Sequence, residues 1–330
     1  MIEPALPLFW MGGLLAADLI EVSTDPNCLN DGGFWAISTT YEGAFRAAKF
    51  KAVTNAEFPP VTETVRVEGK WQSSCAQQEY QEYVEKIRDE IASGGVYQVN
   101  ACRRLSIKSN AKLDYAFSNI LKSNPAPFAS YLRFDEFEIA SASPELFLTR
   151  NGDQLKTSPI KGTKRSTTEI FGDKDRAENV MIVDLMRNDL GQICLPGTIA
   201  VPELLRDEQH PGLSHLVSDV TGQLLDGKSW SQVLHALLPA GSISGAPKSA
   251  AQRIISTFEP VPRDTYCGVL GWVRGDQAVL SVAIRTFWRD SEYIHFGTGA
   301  GITWSSDASA EWEETQLKAE RLISIIGGEL

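Results

Sequence analysis

The sequence predicts an α+β or mixed α/β protein that contains much antiparallel sheet. Segments 138–149, 278–289 and 293–302 are rich in apolar and β-branched residues, as strands are. Gly275-Asp276 falls between two strand-like runs and therefore predicts a hairpin. Strand pairs mixed with several helices are typical of these two fold classes.

Three helices are predicted from apolar residues at helical spacing and from the residues that end them. The first covers 77–93 and stops at a Gly-Gly pair, and the second covers 175–190 and stops at a glycine. The last begins at Asp307 or Ser309, runs to about Ile326 and is closed by another Gly-Gly pair. These helices are long enough to cover a sheet.

Composition and charge exclude several classes of protein. The 330 residues carry 31 Lys+Arg and 42 Asp+Glu, a formal net charge of −11, with 43% apolar residues, which is an ordinary globular composition. The acidic balance argues against a nucleic-acid partner, and no stretch approaches the 18 apolar residues of a membrane span. The first basic residue is Arg46, so no signal peptide is expected and we predict a cytoplasmic protein.

Two of the predicted helices each carry a pair of acids three residues apart. Asp175 and Glu178 lie on the second helix, and Glu311 and Glu314 lie on the last, where Lys318 continues the same face. Carboxylates from two helices can hold Mg²⁺, which takes one or two carboxylates and keeps several waters. Acids at this spacing are also typical of a solvated helix face, so both interpretations stay open.

Two further residues have the chemistry of a catalytic pair. Glu145 follows the apolar stretch 137–142, and a carboxyl group in an apolar setting can keep a raised pKa and act as a general acid. Lys161 stands between Ile160 and Gly162, where burial would lower its pKa and free the amine as a nucleophile or base. The alternative for Lys161 is an exposed turn lysine.

The remaining candidates are ligand-binding positions. Residues 241–248 resemble a phosphate loop but fail its test, because three residues separate the glycines and Pro247 removes a backbone donor. Arg285 alternates with apolar residues in a strand and suits a carboxylate ligand, unless it is an edge residue. Gly299 and Gly301 would let a ligand approach the backbone. His215 is either structural or catalytic.

Ten short motifs occur in a fixed order between about residues 75 and 326, and as a set they resemble the chorismate-utilising enzymes. That family includes the large subunits of anthranilate synthase and aminodeoxychorismate synthase, together with isochorismate and salicylate synthases. The motifs are Tyr97-Gln98-Val99-Asn100, Ser143-Pro144-Glu145, Pro159-Ile160-Lys161-Gly162-Thr163, 178–191, His215-Leu216-Val217-Ser218, 241–248, Tyr266-Cys267-Gly268, Ile284-Arg285-Thr286, Gly299-Ala300-Gly301-Ile302 and Glu311-Trp312-Glu313-Glu314-Thr315.

The resemblance implies a fold and a domain plan. The fold would be the anthranilate synthase component I-like one: α+β, with two stacked, largely antiparallel sheets flanked by helices. Residues 1–330 would form a single chorismate-binding catalytic domain, with 1–75 a shortened N-terminal part and 76–328 the catalytic core. The tryptophan site that some longer members hold in the N-terminal part is therefore in doubt here.

Two positions indicate the branch of the family. At the position that Lys161 occupies in this chain, aminodeoxychorismate synthases have a lysine, whereas anthranilate synthases have an alanine. Isochorismate and salicylate synthases carry a general-base lysine where this chain has Gln98. The resemblance thus favours aminodeoxychorismate synthase component I, with anthranilate synthase, isochorismate synthase and a non-catalytic chorismate-binding relative as alternatives. No glutaminase motif is visible, so ammonia would come from free ammonium or a separate glutamine amidotransferase subunit.

The resemblance also implies a role for each candidate residue. Lys161 would attack C2 of chorismate, and Glu145 would protonate the departing C4 hydroxyl, after which ammonia would add at C4. Mg²⁺ would be held by Glu178 and Glu314, with Asp175 and Glu311 near or in its shell. The residues expected to hold or neighbour the substrate are Gln98, Ser242, Tyr266, Arg285, Gly299, Gly301 and Lys318, and His215 matches a histidine linked to pyruvate loss in the anthranilate branch.

Overall fold

Helices and strands are interspersed along the part of the chain that the computed structural model describes, residues 6–61, 65–164, 170–210, 213–290 and 292–330. The helices in these ranges are a 3-10 helix (Pro26–Asp31), α1 (Gln77–Ala92), α2 (Leu113–Ser123), α3 (Asp173–Gly191), α4 (Trp230–Leu237), α5 (Gly241–Ser244), α6 (Lys248–Phe258) and α7 (Ala308–Ile326). The strands are β1 (Leu8–Met11), β2 (Leu14–Ser23), β3 (Phe34–Thr39), β4 (Phe45–Asn55), β5 (Val67–Lys70), β6 (Gln72–Ser73), β7 (Gln98–Lys108), β8 (Phe128–Phe134), β9 (Phe137–Ser143), β10 (Leu146–Asn151), β11 (Gln154–Ser158), β12 (Ile160–Lys164), β13 (Ala200–His210), β14 (Leu213–Gln223), β15 (Gly245–Ala246), β16 (Val269–Arg274), β17 (Gln277–Val282), β18 (Thr286–Asp290), β19 (Tyr293–Ile302) and β20 (Gly327–Glu329).

The three predicted helices are confirmed as α1, α3 and α7. Helix α7 begins after Asp307, whose Oδ1 accepts a hydrogen bond from the backbone N–H of Ala310 at 2.9 Å, as an N-cap residue should. The predicted hairpin at Gly275-Asp276 is also confirmed, because it joins the paired strands β16 and β17. In the described residues we find no helix with the length and apolar character to cross a bilayer.

Two predicted strands are wrong in one respect, because each is interrupted. Segment 138–149 divides into β9 and β10, and Pro144 in the gap has no N–H to continue the ladder. Segment 278–289 divides into β17 and β18, and Arg285 in that gap has a left-handed backbone with φ of 52°. The gaps face each other, since the Glu145 carbonyl accepts from the Val282 N–H at 3.1 Å. Glu145 and Arg285 thus lie where the sheet changes direction.

The strands pair into one large antiparallel sheet of 18 strands, with a separate parallel pair of β20 and β5. One half of the large sheet runs from β13 through β14, β11 and β12, β10, β17, β16, β3 and β4 to β2. The other half continues through β1, β8, β9, β18 and β19 to β7, with β6 and β15 beyond it.

The hydrophobic core shows that the two halves stack. Leu132 and Ile139 of the second half pack in one cluster with Ile37 of the first half. Their sequence neighbours, such as Tyr131, face the other way and pack with Ile323 of α7. Because side chains alternate across a strand, one face of the second half is covered by the first half and the other by helices. The expected α+β fold with two stacked antiparallel layers is therefore confirmed, the layers being halves of one sheet.

Candidate active site

Glu145, Lys161 and Ser242 meet where the two halves of the sheet separate, and we call these three residues the buried centre. Glu145 lies in the gap between β9 and β10, Lys161 lies on β12, and Ser242 lies on the short helix α5. The Lys161 Nζ donates a hydrogen bond to the Ser242 carbonyl at 3.2 Å. The Ser242 hydroxyl lies beside the Glu145 carboxyl group. The structure thus brings together the predicted acid and the predicted nucleophile.

Glu145 is the acid of the buried centre, and its pKa is strongly shifted. Its side chain is 4% exposed. Burial raises its pKa from 4.5 to about 7, although the Ser242 hydroxyl, the charge of Lys161 and the Ile160 backbone N–H oppose that rise. A carboxyl group with this pKa keeps its proton in a large fraction of molecules near neutral pH, so Glu145 can act as a general acid there.

Lys161 shows the opposite shift. It is half-buried on β12, and burial lowers the pKa of its amine, although the carboxylates of Glu178 and Glu145 oppose that change. The Ser242 carbonyl accepts one N–H of the amine without adding a charge. Burial therefore favours the neutral amine, which is the form that attacks an electrophile. The alternative of an exposed turn lysine is wrong.

The four acids predicted on two helices form a second group, which we call the acidic rim: Asp175, Glu178, Glu311 and Glu314. Helices α3 and α7 contribute two each. Burial raises the pKa of Glu178, and the nearby carboxylates of Asp175 and Glu314 raise it further, against the charges of Lys161 and Lys174. Burial also raises the pKa of Glu311. The rim therefore concentrates negative charge beside Lys161.

Cations already contact part of the acidic rim. The Lys318 Nζ lies 2.6 Å from Glu314, and the Lys174 Nζ lies 3.9 Å from Glu178. The Asp175 carboxylate packs against Gly162, where an added Cβ would approach it to 3.0 Å. Asp175 also caps its helix, since its Oδ2 accepts from the Gly172 backbone N–H at 3.2 Å. Asp175 is thus tied to the backbone, whereas Glu178 and Glu314 are contacted by side chains.

The acidic rim fits a cation that needs few protein ligands. Over the ranges that the structure describes, no three His, Cys, Asp or Glu side chains are arranged to hold a metal ion. Mg²⁺ needs fewer, because it binds through one or two carboxylates and keeps its waters. Mutual repulsion with Asp175 and Glu314 contributes to the raised pKa of Glu178, and a bound cation would relieve that repulsion. Glu178 and Glu314 are the residues that fit this role.

Gln98 joins the acidic rim to the sheet. It begins β7, is fully buried, and its Nε2 lies 3.4 Å from Glu178 Oε2. Its Oε1 is buried, and no residue in the described ranges donates a hydrogen bond to it. Gly301 leaves the space that the Gln98 side chain fills, since an added Cβ would come within 2.4 Å of Nε2. An unpaired buried acceptor costs free energy unless a ligand supplies a donor, so Gln98 is expected to face a bound molecule.

The predicted substrate-binding residues spread along the same strands. The Lys318 Nζ donates to the Gly299 carbonyl at 2.9 Å, which ties α7 to β19. The Tyr266 ring covers Gly297, where an added Cβ would come within 2.0 Å of it. Arg285 is half-buried, and no acid in the described ranges lies within salt-bridge distance of it. Burial and the nearby Arg321 lower the pKa of Arg285, so an anionic ligand would be favourable there.

His215 lies on the strand that pairs with the strand of Lys161. It is 1% exposed on β14, where its backbone pairs with Thr163 of β12 and Glu208 of β13. The adjacent pair in that register is Leu216 with Lys161. The structure therefore places His215 next to the strand of the nucleophile.

Sequence reasoning missed two asparagines that hold this site together. Asn100 Nδ2 donates to the Ser242 carbonyl at 2.8 Å, so that carbonyl accepts from both Asn100 and Lys161. Asn179 is fully buried beside Glu178 and donates through Nδ2 to the Leu216 carbonyl at 3.1 Å. A signal existed for each. Asn100 alternates with Gln98 on β7, and Asn179 follows Asp175 by one helical turn.

Comparison with known proteins gives a consistent result. The family model for "chorismate binding enzyme" matches residues 36–324. Aminodeoxychorismate synthase component 1 of Salmonella typhimurium is 36% identical over 288 residues, which covers 84% of this chain and 63% of that protein. Anthranilate synthase component 1 of Haloarcula marismortui is 36% identical over 282 residues, which covers 82% of this chain and 57% of that protein.

A solved structure supports the fold independently. Anthranilate synthase component I from Streptococcus pneumoniae superposes with a TM-score of 0.81 at 22% identity, over 97% of this chain and 90% of that one. At 22% identity, this structural similarity supports the fold and carries no conclusion about function. The chain spans about six tenths of the length of the curated relatives it matches.

Proposed function

The chain belongs to the family of chorismate-binding enzymes, and from that premise we propose that it is an aminodeoxychorismate synthase component 1. The reaction converts chorismate and ammonia to 4-amino-4-deoxychorismate and water, a step toward para-aminobenzoate and folate. Ammonia would come from the glutamine amidotransferase partner of such enzymes, as a separate chain. The observation that carries the proposal is the pairing of Lys161 with Glu145 through Ser242.

The first chemical step forms a covalent adduct on Lys161. The neutral amine attacks C2 of the ring, the C1–C2 and C5–C6 double bonds shift to C1–C6 and C4–C5, and the C4–O bond breaks. Glu145 gives its proton to the departing hydroxyl, which leaves as water. The raised pKa of Glu145 and the lowered pKa of Lys161 support these roles, because each shift moves the group toward the protonation state that the step needs.

The second step replaces the lysine by ammonia. Ammonia attacks C4, the double bonds shift back, and the C2–N bond to Lys161 breaks to release the neutral amine. The new ammonium group returns one proton to the Glu145 carboxylate. Both residues thus finish in the state in which they began, and the net change is the exchange of a hydroxyl for an amino group.

The acidic rim and the strand glycines would hold the substrate. When bound at Glu178 and Glu314, Mg²⁺ supplies positive charge that binds the ring carboxylate and stabilises charge as the double bonds shift. Arg285, which has no acid partner in the described ranges, would take the enolpyruvyl carboxylate. Tyr266 and the backbone at Gly301 would complete that site, as would the neighbouring Lys318.

Anthranilate synthase is the second candidate, because an anthranilate synthase matches with the same 36% identity. In that chemistry ammonia itself adds at C2 and pyruvate leaves. Lys161 then has no covalent role. Isochorismate chemistry needs a base for water at C2, and Gln98 has a neutral amide at the position of that base.

Product identification tests the proposal. Purified protein is incubated with chorismate, Mg²⁺ and ¹⁵N-ammonium, and products are analysed by mass spectrometry with and without an aminodeoxychorismate lyase. We expect a ¹⁵N-labelled amino-for-hydroxyl product that the lyase converts to para-aminobenzoate. Labelled anthranilate or an isochorismate-mass product would contradict the proposal.

The Lys161→Ala variant tests the adduct. We expect it to lose the 4-amino product, whereas the matched control Lys156→Ala, a neighbouring lysine paired with Asp219 at 3.1 Å, retains it. Full activity with unchanged product in Lys161→Ala would show that the lysine forms no required adduct.

A further inference from the structure

Arg263 is a buried arginine that neither the proposed chemistry nor the sequence motifs use. It is 3% exposed and lies in the segment between α6 and β16. Its Nε and Nη2 form two bonds to the Glu259 carboxylate, at 2.9 and 2.7 Å. Its guanidinium also lies 4.4 Å from the centre of the Tyr41 ring. Such a bidentate pair fixes both position and orientation of the guanidinium.

The remaining donors of Arg263 reach two other segments. Nη1 donates to the Ile243 carbonyl at 2.9 Å, and Nη2 donates to the Asn100 carbonyl at 2.7 Å. Glu259 contacts the same strand as Asn100, since its Oε1 accepts from the Cys102 backbone N–H at 3.1 Å. One ion pair therefore holds β7 and helix α5 in a fixed relation.

Those two segments together build the acceptor of Lys161. Ile243 directly follows Ser242, and the Asn100 side chain donates to the Ser242 carbonyl at 2.8 Å. The same carbonyl accepts from the Lys161 Nζ at 3.2 Å. Arg263 thus restrains the Ser242 carbonyl in two ways. It bonds the carbonyl of the next residue, Ile243, and it bonds the backbone of Asn100, whose side chain donates to the Ser242 carbonyl.

We propose that Arg263 is a positioning residue: it fixes the Ser242 carbonyl and thereby directs the amine of Lys161. A neutral amine has two N–H groups and one lone pair. When one N–H is held by a fixed carbonyl, the lone pair has a restricted direction, which an attack on a ring carbon requires. This role rests on the proposed function of Lys161 as nucleophile, but the placement of the amine can be measured without the reaction.

Two variants and one control test the proposal. Arg263→Lys keeps a charge for Glu259 but loses the planar fork that reaches both carbonyls. Asn100→Ala leaves the ion pair intact and removes only the side-chain bond to Ser242. Arg150→Lys is the matched control, because Arg150 also lies over a ring, 4.9 Å from Trp230, and also bonds a carbonyl, that of Gly152.

The first readout is the pH dependence of Lys161 acylation by isotope-labelled acetic anhydride, measured by mass spectrometry of the Lys161 peptide. Loosening the centre admits water, so we expect the midpoint for Lys161 to move to higher pH in both variants and to stay in place in Arg150→Lys. The second readout is steady-state kinetics with chorismate and ammonium, where kcat should fall by about 10- to 100-fold with KM little changed.

The outcomes separate this proposal from the proposed function. A shifted acylation midpoint supports the positioning role even if the enzyme proves to make anthranilate. A folded Arg263→Lys variant with the midpoint of the parent protein overturns it. If Arg263→Lys does not fold, Asn100→Ala decides, and an unchanged midpoint there overturns the proposal.

Discussion

The buried centre and the acidic rim lie side by side, and burial shifts the pKa values in both, but repulsion between acids adds to the shifts only in the rim. In the buried centre, desolvation dominates: burial pushes the pKa of Glu145 up to about 7 and the pKa of Lys161 down. In the rim, burial is again the largest cause of the raised pKa values of Glu178 and Glu311, and repulsion by neighbouring acids adds to both shifts. The side chains of Glu314 and Lys318 are about half exposed.

This difference teaches what each region can do. A carboxyl group whose pKa is raised by burial can donate a proton near neutral pH, and an amine whose pKa is lowered by burial is more readily in the neutral form that attacks. Partly exposed carboxylates that repel each other instead gain from a cation, and solvent can complete its shell. The buried centre is thus suited to moving protons and forming bonds, and the rim to binding charge. Three predictions, two for Glu145→Gln and one for Glu178→Gln, test this contrast.

The largest expected effect is on activity in Glu145→Gln. The amide has nearly the shape of the carboxyl group but cannot give up a proton at neutral pH, so we expect kcat to fall by about 10² to 10⁴ at pH 7. The measurement is formation of the amino-for-hydroxyl product from chorismate and ammonium.

Glu138→Gln is the matched control for this loss. Glu138 is also buried, 3% exposed, with a pKa raised by burial, but it contacts Tyr131 on the outer face of the sheet. Its substitution should leave kcat near that of the parent protein. An active Glu145→Gln variant would mean that another group protonates the leaving hydroxyl.

The same contrast explains how much of the site could be predicted from the sequence. Glu145, Lys161 and the four acids of the rim were predicted from residue type, spacing and resemblance, because motifs keep chemically required side chains in order. The helices α1, α3 and α7 followed from periodicity and from Gly or N-cap residues at their ends.

What could not be predicted depends on contacts between distant segments. The breaks at Glu145 and Arg285 occur where two strand pairs cross between the halves of the sheet. Pro144 marks the first break in the sequence, but no local pattern reports the second. Asn100 and Arg263 act through main-chain carbonyls of residues far away in sequence. Every residue has a backbone carbonyl, so the type of the accepting residue does not indicate such a bond. Side-chain chemistry read from the sequence therefore does not reveal it.

A smaller effect concerns stability and its dependence on pH. The pKa of Glu145 in the folded protein, about 7, lies above its ordinary value of 4.5. Its neutral form therefore supports folding fully below about pH 4.5, and this support is lost as the pH rises through about 7. Glutamine has no such loss, so Glu145→Gln should gain up to about 3 kcal/mol over the parent protein between pH 4.5 and 8.

Urea unfolding of both proteins across that pH range measures the gain. Glu138→Gln is again the control, because Glu138 is a buried glutamate that contacts Tyr131 and lies outside the buried centre. A difference between parent and Glu145→Gln that stays constant with pH would show that the pKa of Glu145 is the same in the folded and the unfolded protein, which would contradict its role as an acid whose proton is retained by burial.

The smallest expected effect tests the rim with Mg²⁺ alone, in the absence of substrate. A ligand that binds the folded state stabilises it by about 2.7 kcal/mol when present at 100 times its Kd. In Glu178→Gln the same stabilisation should need at least about tenfold more Mg²⁺, since even the partners of metal ligands contribute that much to affinity. Glu313→Gln is the control, because Glu313 is exposed and adjacent in sequence to Glu314. Thermal unfolding against Mg²⁺ concentration gives the comparison.

Without metal, Glu178→Gln should be at least as stable as the parent protein, because it removes a charge that burial and its neighbours disfavour. Equal Mg²⁺ responses in Glu178→Gln and Glu313→Gln would place the cation elsewhere and leave the rim as a solvated helix face.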